Sequence, residues 1–295
     1  MQVVVIINPV AGAAQRRAAV RQMLVRLGQA GHQVITRITR AAGDARHMAR
    51  QAADSAHAVV VVGGDGTVGE AAAGLIGTSV PLIIWPRGTE NLVAKAFGFQ
   101  SNPDYILACL HSGTHKSLDV GIANDRPFLL LAGIGFDAEV VHRLKQLRIG
   151  HITHLSYGAP LWRTFWEHRF PPLRVSSAGR HLWEGRGLVF VANLPQYALN
   201  LNVVRDARGD DGLLDLCILP CDGRIGLLGH ALRTLVRKQI EHPSVVYQRL
   251  PAVRVEAAVP VSAQLDGDEA GTLPLDIRIL PAALVVRIPP ASIKG

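Results

Sequence analysis

Residues 59–70 read Val-Val-Val-Val-Gly63-Gly64-Asp65-Gly66-Thr67-Val68-Gly69-Glu70. A β-branched run enters glycines clustered around one aspartate, and a helical pattern follows. A strand that ends this way leaves bare backbone N–H groups at a helix N-terminus, a geometry that suits phosphate oxygens. Asp65 suits a magnesium shell better than direct phosphate contact, because two anions repel. A strand-to-helix turn without a ligand needs only one glycine. Two more glycine-bearing turns follow strand patterns: Asn8-Pro9-Val10-Ala11-Gly12 and Pro86-Arg87-Gly88-Thr89-Glu90-Asn91. On adjacent parallel strands all of them gather at one sheet edge, as a bed for a nucleotide polyphosphate.

The elements that must hold these turns are legible as patterns. Val3–Ile7 is a continuous apolar run, as expected of a strand buried on both faces. Further strands are predicted at Val34–Thr39, Ala58–Val62 and Leu82–Trp85, with helices over Gln15–Ala30, Gly43–Asp54, Glu70–Ile76 and Glu90–Phe97. This βαβα rhythm predicts a doubly wound parallel sheet over residues 1–117, with ligands beyond the carboxyl ends of its strands. From residue 118 to 289 the texture changes to short apolar segments between turn residues, which predicts an antiparallel β-rich sandwich. Helical stretches near 138–168 and 223–240 interrupt it, and residues 290–295 are a candidate return to the first domain. The short boundary at Gly113–Lys116 predicts that the two domains enclose a cleft.

The 295 residues suffice for two domains with real cores, and a hydrophobic fraction of 48% excludes disorder. No apolar run reaches the ~18 residues of a membrane span. The N-terminus lacks the basic start and small-residue cleavage site of a signal peptide, so a cytoplasmic location is expected. Cys109, Cys217 and Cys221 form no zinc or disulfide pattern and read as buried thiols. The net charge of +8 attracts polyanions, but the basic residues are scattered and form no nucleic-acid arm.

The chain resembles the diacylglycerol kinase-like lipid kinases over essentially its whole length. The elements that carry the resemblance are Asn8–Gly12, Gly63–Thr67, Pro86–Asn91, Gly133-Ile-Gly-Phe-Asp-Ala138, Asp210-Asp-Gly-Leu-Leu-Asp215 and Asp266-Gly-Asp268, in the family's order. Gly-Gly-Asp-Gly-Thr alone is shared with NAD kinases and phosphofructokinases; the later elements point to the lipid-kinase branch. The resemblance implies transfer of the ATP γ-phosphoryl group to a lipid hydroxyl with Mg²⁺. It implies ATP contacts at Asn8–Gly12, Thr39, Gly63–Glu70, Gly88, Thr89 and Asn91. It maps the proposed base onto Asp266 or Asp268, two carboxylates that would otherwise read as a hairpin turn. It also implies a structural Mg²⁺ held by Asp211 and the backbone carbonyls of Arg208 and Leu213; a plain hairpin turn is the competing reading there.

Gly69, Leu92 and Asp268 stand where the family usually has Asn, Asp and Glu. They keep two alternatives in view: another small-molecule kinase of the superfamily, such as an NAD kinase, and a nucleotide- or lipid-binding relative with little catalysis. The Gly133–Ala138 turn fits a loose dinucleotide fingerprint, but no acidic residue follows in 150–160, so it reads as an interdomain element. Tyr157–Phe170 interleaves Trp162, Phe165 and Trp166 with Arg163, His168 and Arg169. Such a stretch suits a bilayer interface, or a helix packed by its aromatics onto the β-domain, the commoner use. Arg233, Arg237 and Lys238 are a weaker candidate for anionic headgroups. His142, His151 and His154 have no metal spacing. The expectation is a lipid kinase at the membrane periphery, acting at an anionic surface, with a homodimer among its possible states.

Overall fold

The computed structural model describes residues 1–12, 17–146, 158–197, 203–236 and 239–290, and the chain divides into two compact units. The first unit is Met1–Asp119, rejoined by the chain from Ala282. The second is Val120–Pro281. The return foreseen at 290–295 falls, beyond Pro290, outside the described residues.

The first unit runs β1 (Gln2–Ile7), α1 (Arg17–Gln29), β2 (Gln33–Ile38), α2 (Asp44–Ala52), β3 (Ala58–Gly63), α3 (Asp65–Leu75), β4 (Leu82–Pro86), α4 (Leu92–Phe97) and α5 (Pro103–Ser112). Its strands lie in the order β4-β3-β1-β2, all parallel. Val3–Ile6, Val59–Val62 and Leu82–Trp85 are buried, which is why these strands are apolar without alternation. Helix α2 packs on α3 so closely that a Cβ on Gly74 would lie 2.3 Å from the Arg46 carbonyl oxygen.

Two elements differ from expectation. Helix α3 starts at Asp65, not Glu70, so the glycine turn is the last residue of a strand, the N-cap Gly64 and the first helical turn itself. Helix α5 was not foreseen, although Pro103 at its start and an Asn102 side chain accepting from the Asp104 N–H (2.9 Å) are ordinary start signals.

β5 (Thr114–Ala123) leads into the second unit. There follow β6 (Arg126–Phe128), β7 (Leu131–Ile134), α6 (Phe136–Gln146), α7 (Gly158–Glu167), β8 (Pro172–Ser177), β9 (Arg180–Ala192), β10 (Leu214–Pro220) and α8 (Arg224–Leu235). A 3₁₀ turn (Gln239–Glu241) precedes β11 (Val246–Leu250), β12 (Ala252–Glu256), β13 (Ser262–Leu265), β14 (Asp268–Thr272) and β15 (Leu275–Ile288).

The second unit is an antiparallel sandwich hinged on β9. The first half of β9 pairs with β8, and its second half with β7 and β10. Gly187 sits where the strand changes partners, because a Cβ there would lie 2.6 Å from the Leu219 carbonyl oxygen. Val175, Val189, Val191, Leu216, Val255 and Ile277 fill the space between the sheets. The alternate residues Phe190, Cys217 and Leu219 face the other way and pack with Phe136 of α6 and Leu227 of α8. β15 is one long strand that continues past Pro281 into the first unit, where Val286 pairs with Leu82. At that crossing the Ala282 N–H donates to the buried Asp119 carboxylate at 2.7 Å.

No described helix is long and apolar enough to cross a membrane.

Candidate active site

The three predicted turns of the first unit meet at the carboxyl ends of β1, β3 and β4. Asn8 follows β1; its amide donates to the Thr67 hydroxyl at 2.9 Å, and its Oδ1 accepts the Val10 N–H at 3.1 Å. Gly63 lacks a side chain because Thr67 occupies that space: a Cβ would lie 2.6 Å from the Thr67 Cβ. Gly64 and Gly88 press backbone to backbone, so that a Cβ on Gly88 would lie 2.7 Å from the Gly64 Cα. Gly12, at φ +76°, lies over Arg87 with 2.8 Å between its Cβ position and the Arg87 carbonyl oxygen.

Asp65 locks two of these turns together. Its carboxylate accepts the Val93 N–H at 3.1 Å, capping the start of α4. Burial pushes the carboxyl above its usual range, opposed by backbone N–H groups of Leu92, Val93 and Asn91. Asn91 closes the third turn through its side chain, accepting from the Gly88 N–H (2.6 Å) and donating to the Gly88 carbonyl (2.8 Å), with its own backbone left-handed at φ 50°. Pro9, Val10, Gly66 and Thr89 are exposed along this edge, while Ala11 is half-buried and Val68 is buried in the first turns of α3. Thr39, buried at the end of β2, hydrogen-bonds the Ile7 carbonyl through its N–H at 3.0 Å.

Two predicted residues have other surroundings. Glu70 accepts the Ala45 N–H at 3.3 Å, near the N-terminus of α2. Gly69 lies inside α3 with no atom within 4 Å of its Cβ position, so nothing around it requires glycine. Sequence reasoning missed Arg87. It is buried, and its Nε lies 3.3 Å from the Gly12 Cβ position. A guanidinium fixed under a glycine turn supplies permanent positive charge for phosphate. The available signal was an arginine placed immediately after an apolar strand.

This edge fits a nucleotide triphosphate: a helix N-terminus with bare N–H groups, turns drawn tightly together by glycine contacts, and a buried cation. With Leu92 in place of a second carboxylate, Asp65 is the acid that Mg²⁺ would find here, which suits an ion held mainly by phosphate oxygens and water.

In the second unit the acidic turn divides its labour. Asp266, left-handed at φ 52°, accepts the N–H groups of Leu129 (2.7 Å), Leu130 (2.8 Å) and Leu131 (3.0 Å). Its lone pairs are committed to the link between β6 and β7. Asp268 is 58% exposed and faces the Lys145 ammonium at 3.6 Å. Glu269 pairs with His142 at 2.7 Å.

The Gly133–Ala138 motif supports this turn from within the second unit. Asp137 accepts from the Tyr197 hydroxyl and from Gln264 Nε2 (2.7 Å), and Gln264 Oε1 accepts the Gly267 N–H at 2.7 Å. Gly133 must be glycine, since the Asp137 carboxylate comes within 2.0 Å of its Cβ position. Burial raises the Asp137 carboxyl, against the pull of those hydrogen bonds.

The residues expected to hold a structural Mg²⁺ do not fit it. The Asp211 carboxylate is paired with the guanidinium of Arg249, and its Oδ1 accepts the Leu213 N–H at 3.1 Å. Arg249 also lies 3.7 Å from the fully buried Asp215, which accepts from the Tyr247 hydroxyl. The Arg208 N–H supports Asp215 as well, while burial pushes that carboxyl upward. An arginine thus stands where a cation was expected. β11, which carries Tyr247 and Arg249 on one face opposite Asp215, was not foreseen as a strand. Among the described residues no group of three acidic, histidine or cysteine side chains is gathered for a metal.

The cysteines are buried and free, their thiols pushed up to about 12 by burial. The aromatic stretch splits. Phe165 and Phe170 pack on the core, whereas Trp162 and Trp166 are exposed. Tyr157, His151, His154, Arg237 and Lys238 lie outside the described residues.

The model of the "Diacylglycerol kinase catalytic domain" matches residues 2–123, and that of the "YegS C-terminal NAD kinase beta sandwich-like domain" matches residues 131–288. A Mycobacterium tuberculosis protein named "Diacylglycerol kinase" is 31% identical over 98% of this chain and 95% of its own. A Pseudomonas aeruginosa protein named "Probable lipid kinase YegS-like" is 32% identical over 92% of this chain and 90% of its own. A crystal structure of a diacylglycerol kinase from Bacillus anthracis superposes with a TM-score of 0.73 at 20% identity, covering 99% of this chain and 98% of that one. The last likeness concerns the fold alone.

Four outcomes are expected. Gly88→Ala separates two backbones that have no slack, and weakens ATP binding by calorimetry at least tenfold, with a stability loss of about 1–3 kcal/mol. Gly69→Ala, in open helix, gains roughly 0.5–1 kcal/mol. In nucleotide-free protein EDTA leaves the melting temperature unchanged, whereas Arg249→Met costs about 1–3 kcal/mol, below a fully buried pair because the arginine is 40% exposed. Asp137→Asn has a pH signature. A carboxyl raised by folding costs stability while ionised, and that cost disappears as pH falls through its folded value. Wild type therefore gains stability relative to Asp137→Asn as urea midpoints are taken from pH 8 downward.

Proposed function

The chain belongs to the diacylglycerol kinase-like lipid kinases, and from that premise we propose that it transfers the γ-phosphoryl group of ATP to the hydroxyl of a diacylglycerol-like or sphingoid-like lipid. The observation that carries the nucleotide half is the gathering of Gly64, Gly88, Gly12 and buried Arg87 at the start of α3. Phosphoryl transfer needs little covalent chemistry from the protein; it needs positioning and charge neutralisation. The N–H groups at the start of α3 and the Arg87 guanidinium hold phosphate oxygens. Asp65 would help hold a magnesium ion carried with the nucleotide, which would supply neutralising charge to the phosphates.

In the acceptor half, Asp268 is the base and Asp266 the scaffold. The lipid hydroxyl oxygen attacks the γ-phosphorus, the bond to the β,γ-bridging oxygen breaks, and ADP leaves. The hydroxyl proton passes to the Asp268 carboxylate. Asp266 is unsuited to that step because three backbone N–H groups already occupy its oxygens. The shorter reach of Asp268, where relatives carry Glu, places more of the positioning on the turn held by Gln264 and Asp137.

The assay is transfer from ATP to diacylglycerol in mixed micelles, with NAD as a parallel acceptor. Wild type is expected to phosphorylate the lipid and not NAD. Asp268→Asn lowers kcat by about 10²–10⁴ with an unchanged melting temperature. Asp266→Asn chiefly lowers stability, by about 1–3 kcal/mol, as backbone donors lose their acceptor. Full activity in Asp268→Asn would remove it from the mechanism.

A further inference from the structure

Helix α8 carries its apolar residues on two sides. Leu227, His230 and Thr234 are buried. Ile225 (89% exposed), Leu228 (51%), Leu232 (64%) and Leu235 (67%) are not. At about 100° per residue these four fall within a stripe roughly 80° wide, and the buried face is centred roughly 150° away. A surface helix ordinarily places polar residues there; this one places branched aliphatics.

The stripe continues onto α7. The Arg224 Nε donates to the Phe165 carbonyl at 3.1 Å and its guanidinium lies 5.2 Å from the centre of the Trp166 ring, which ties the start of α8 to the end of α7. Trp162 and Trp166, both exposed, stack edge to face at 5.6 Å. Arg163, Arg169 and Arg224 are exposed around this ground, and Arg233 is half-buried beside it. Glu167 is taken up by Arg143 (2.7 Å) and Arg163 (2.9 Å), leaving Asp222 as the exposed acid at the helix start.

We propose that the aliphatic stripe of α8, with Trp162 and Trp166 of α7, is the face by which the protein docks on an anionic lipid bilayer. Leucines and isoleucine enter the acyl boundary, tryptophans sit at headgroup depth, and arginines at the rim meet lipid phosphates. The +8 net charge adds long-range attraction to such a surface. A second copy is the poorer occupant. A two-fold contact places the same patch on itself, so the rim arginines of two copies would face each other. The inference rests on the reading that the acceptor is a lipid, and it names where the protein meets that lipid's membrane.

The test is co-sedimentation of the full chain, without nucleotide, with vesicles of phosphatidylglycerol or of phosphatidylcholine. Wild type is expected to bind the phosphatidylglycerol vesicles, with tryptophan emission shifted to the blue and quenched by brominated acyl chains. The double substitution Leu228→Asn and Leu232→Asn weakens this binding at least tenfold. Unchanged binding in that variant, or wild type that neither binds nor shows quenching, overturns the proposal. So does a wild-type dimer by light scattering that the substitutions convert to monomer without altering vesicle binding. The bromolipid result stands without any variant. Because no ATP is present, a protein that docks through this face yet phosphorylates no lipid counts against the kinase reading alone.

Discussion

Two glycines pressed together at the ends of neighbouring strands set the geometry on which the proposed nucleotide edge depends. Gly64 and Gly88 have no room between them for a single methyl group. That contact draws the turn after β4 onto the first turn of α3, and Asp65 then fastens it by capping α4. Asn8 reaches Thr67 from the third turn, and Gly12 settles on Arg87. Gly12, Gly64 and Gly88 are each required by a close neighbour, so the motif is first of all a packing solution. The bare N–H groups at the start of α3 are what this packing leaves facing outward.

The same economy governs the second unit, where charged groups do structural work under the acidic turn. Asp266 joins β6 to β7 through three backbone donors, and Asp137 holds Gln264, which holds Gly267. Only with those groups committed does Asp268 stand apart as a carboxylate with an exposed side chain. Arg249 illustrates the principle again. An internal cation satisfies Asp211 and approaches Asp215, at the place where the resemblance implied a structural Mg²⁺. A covalently attached cation needs no equilibrium with the medium.

Much of the fold was legible because its strands obey simple burial rules. The uninterrupted valines of β1 and β3 lie on both faces of a covered parallel sheet, and the short alternating segments after residue 118 belong to a sandwich with one core. The gathering of the glycine turns was legible because glycines in excess of a turn's needs have a cause. What stayed hidden were pairings across long sequence separations. Nothing local says that Asp266 meets residues 129–131, or that Arg249 meets Asp211. β11 and β14 carry polar residues and lack a long apolar run, so periodicity passed over them. The start of α3 was misplaced because Gly66 and Gly69 are poor helix formers that the fold tolerates. Arg87 was overlooked because a lone arginine in a turn is usually a surface residue, and only the structure places it beneath Gly12.

Glycine packing thus builds one edge of a chain that belongs to the lipid-kinase family. The proposed function requires that the outermost phosphoryl group of ATP end on a lipid. The most direct measurement incubates the purified chain with a total lipid extract and either γ-labelled or α-labelled [³²P]ATP, and counts the label that enters the organic phase. Label from the γ position alone, in a product that alkaline phosphatase strips of its label, is the predicted result. No organic-phase label from either nucleotide, or equal label from both, contradicts it.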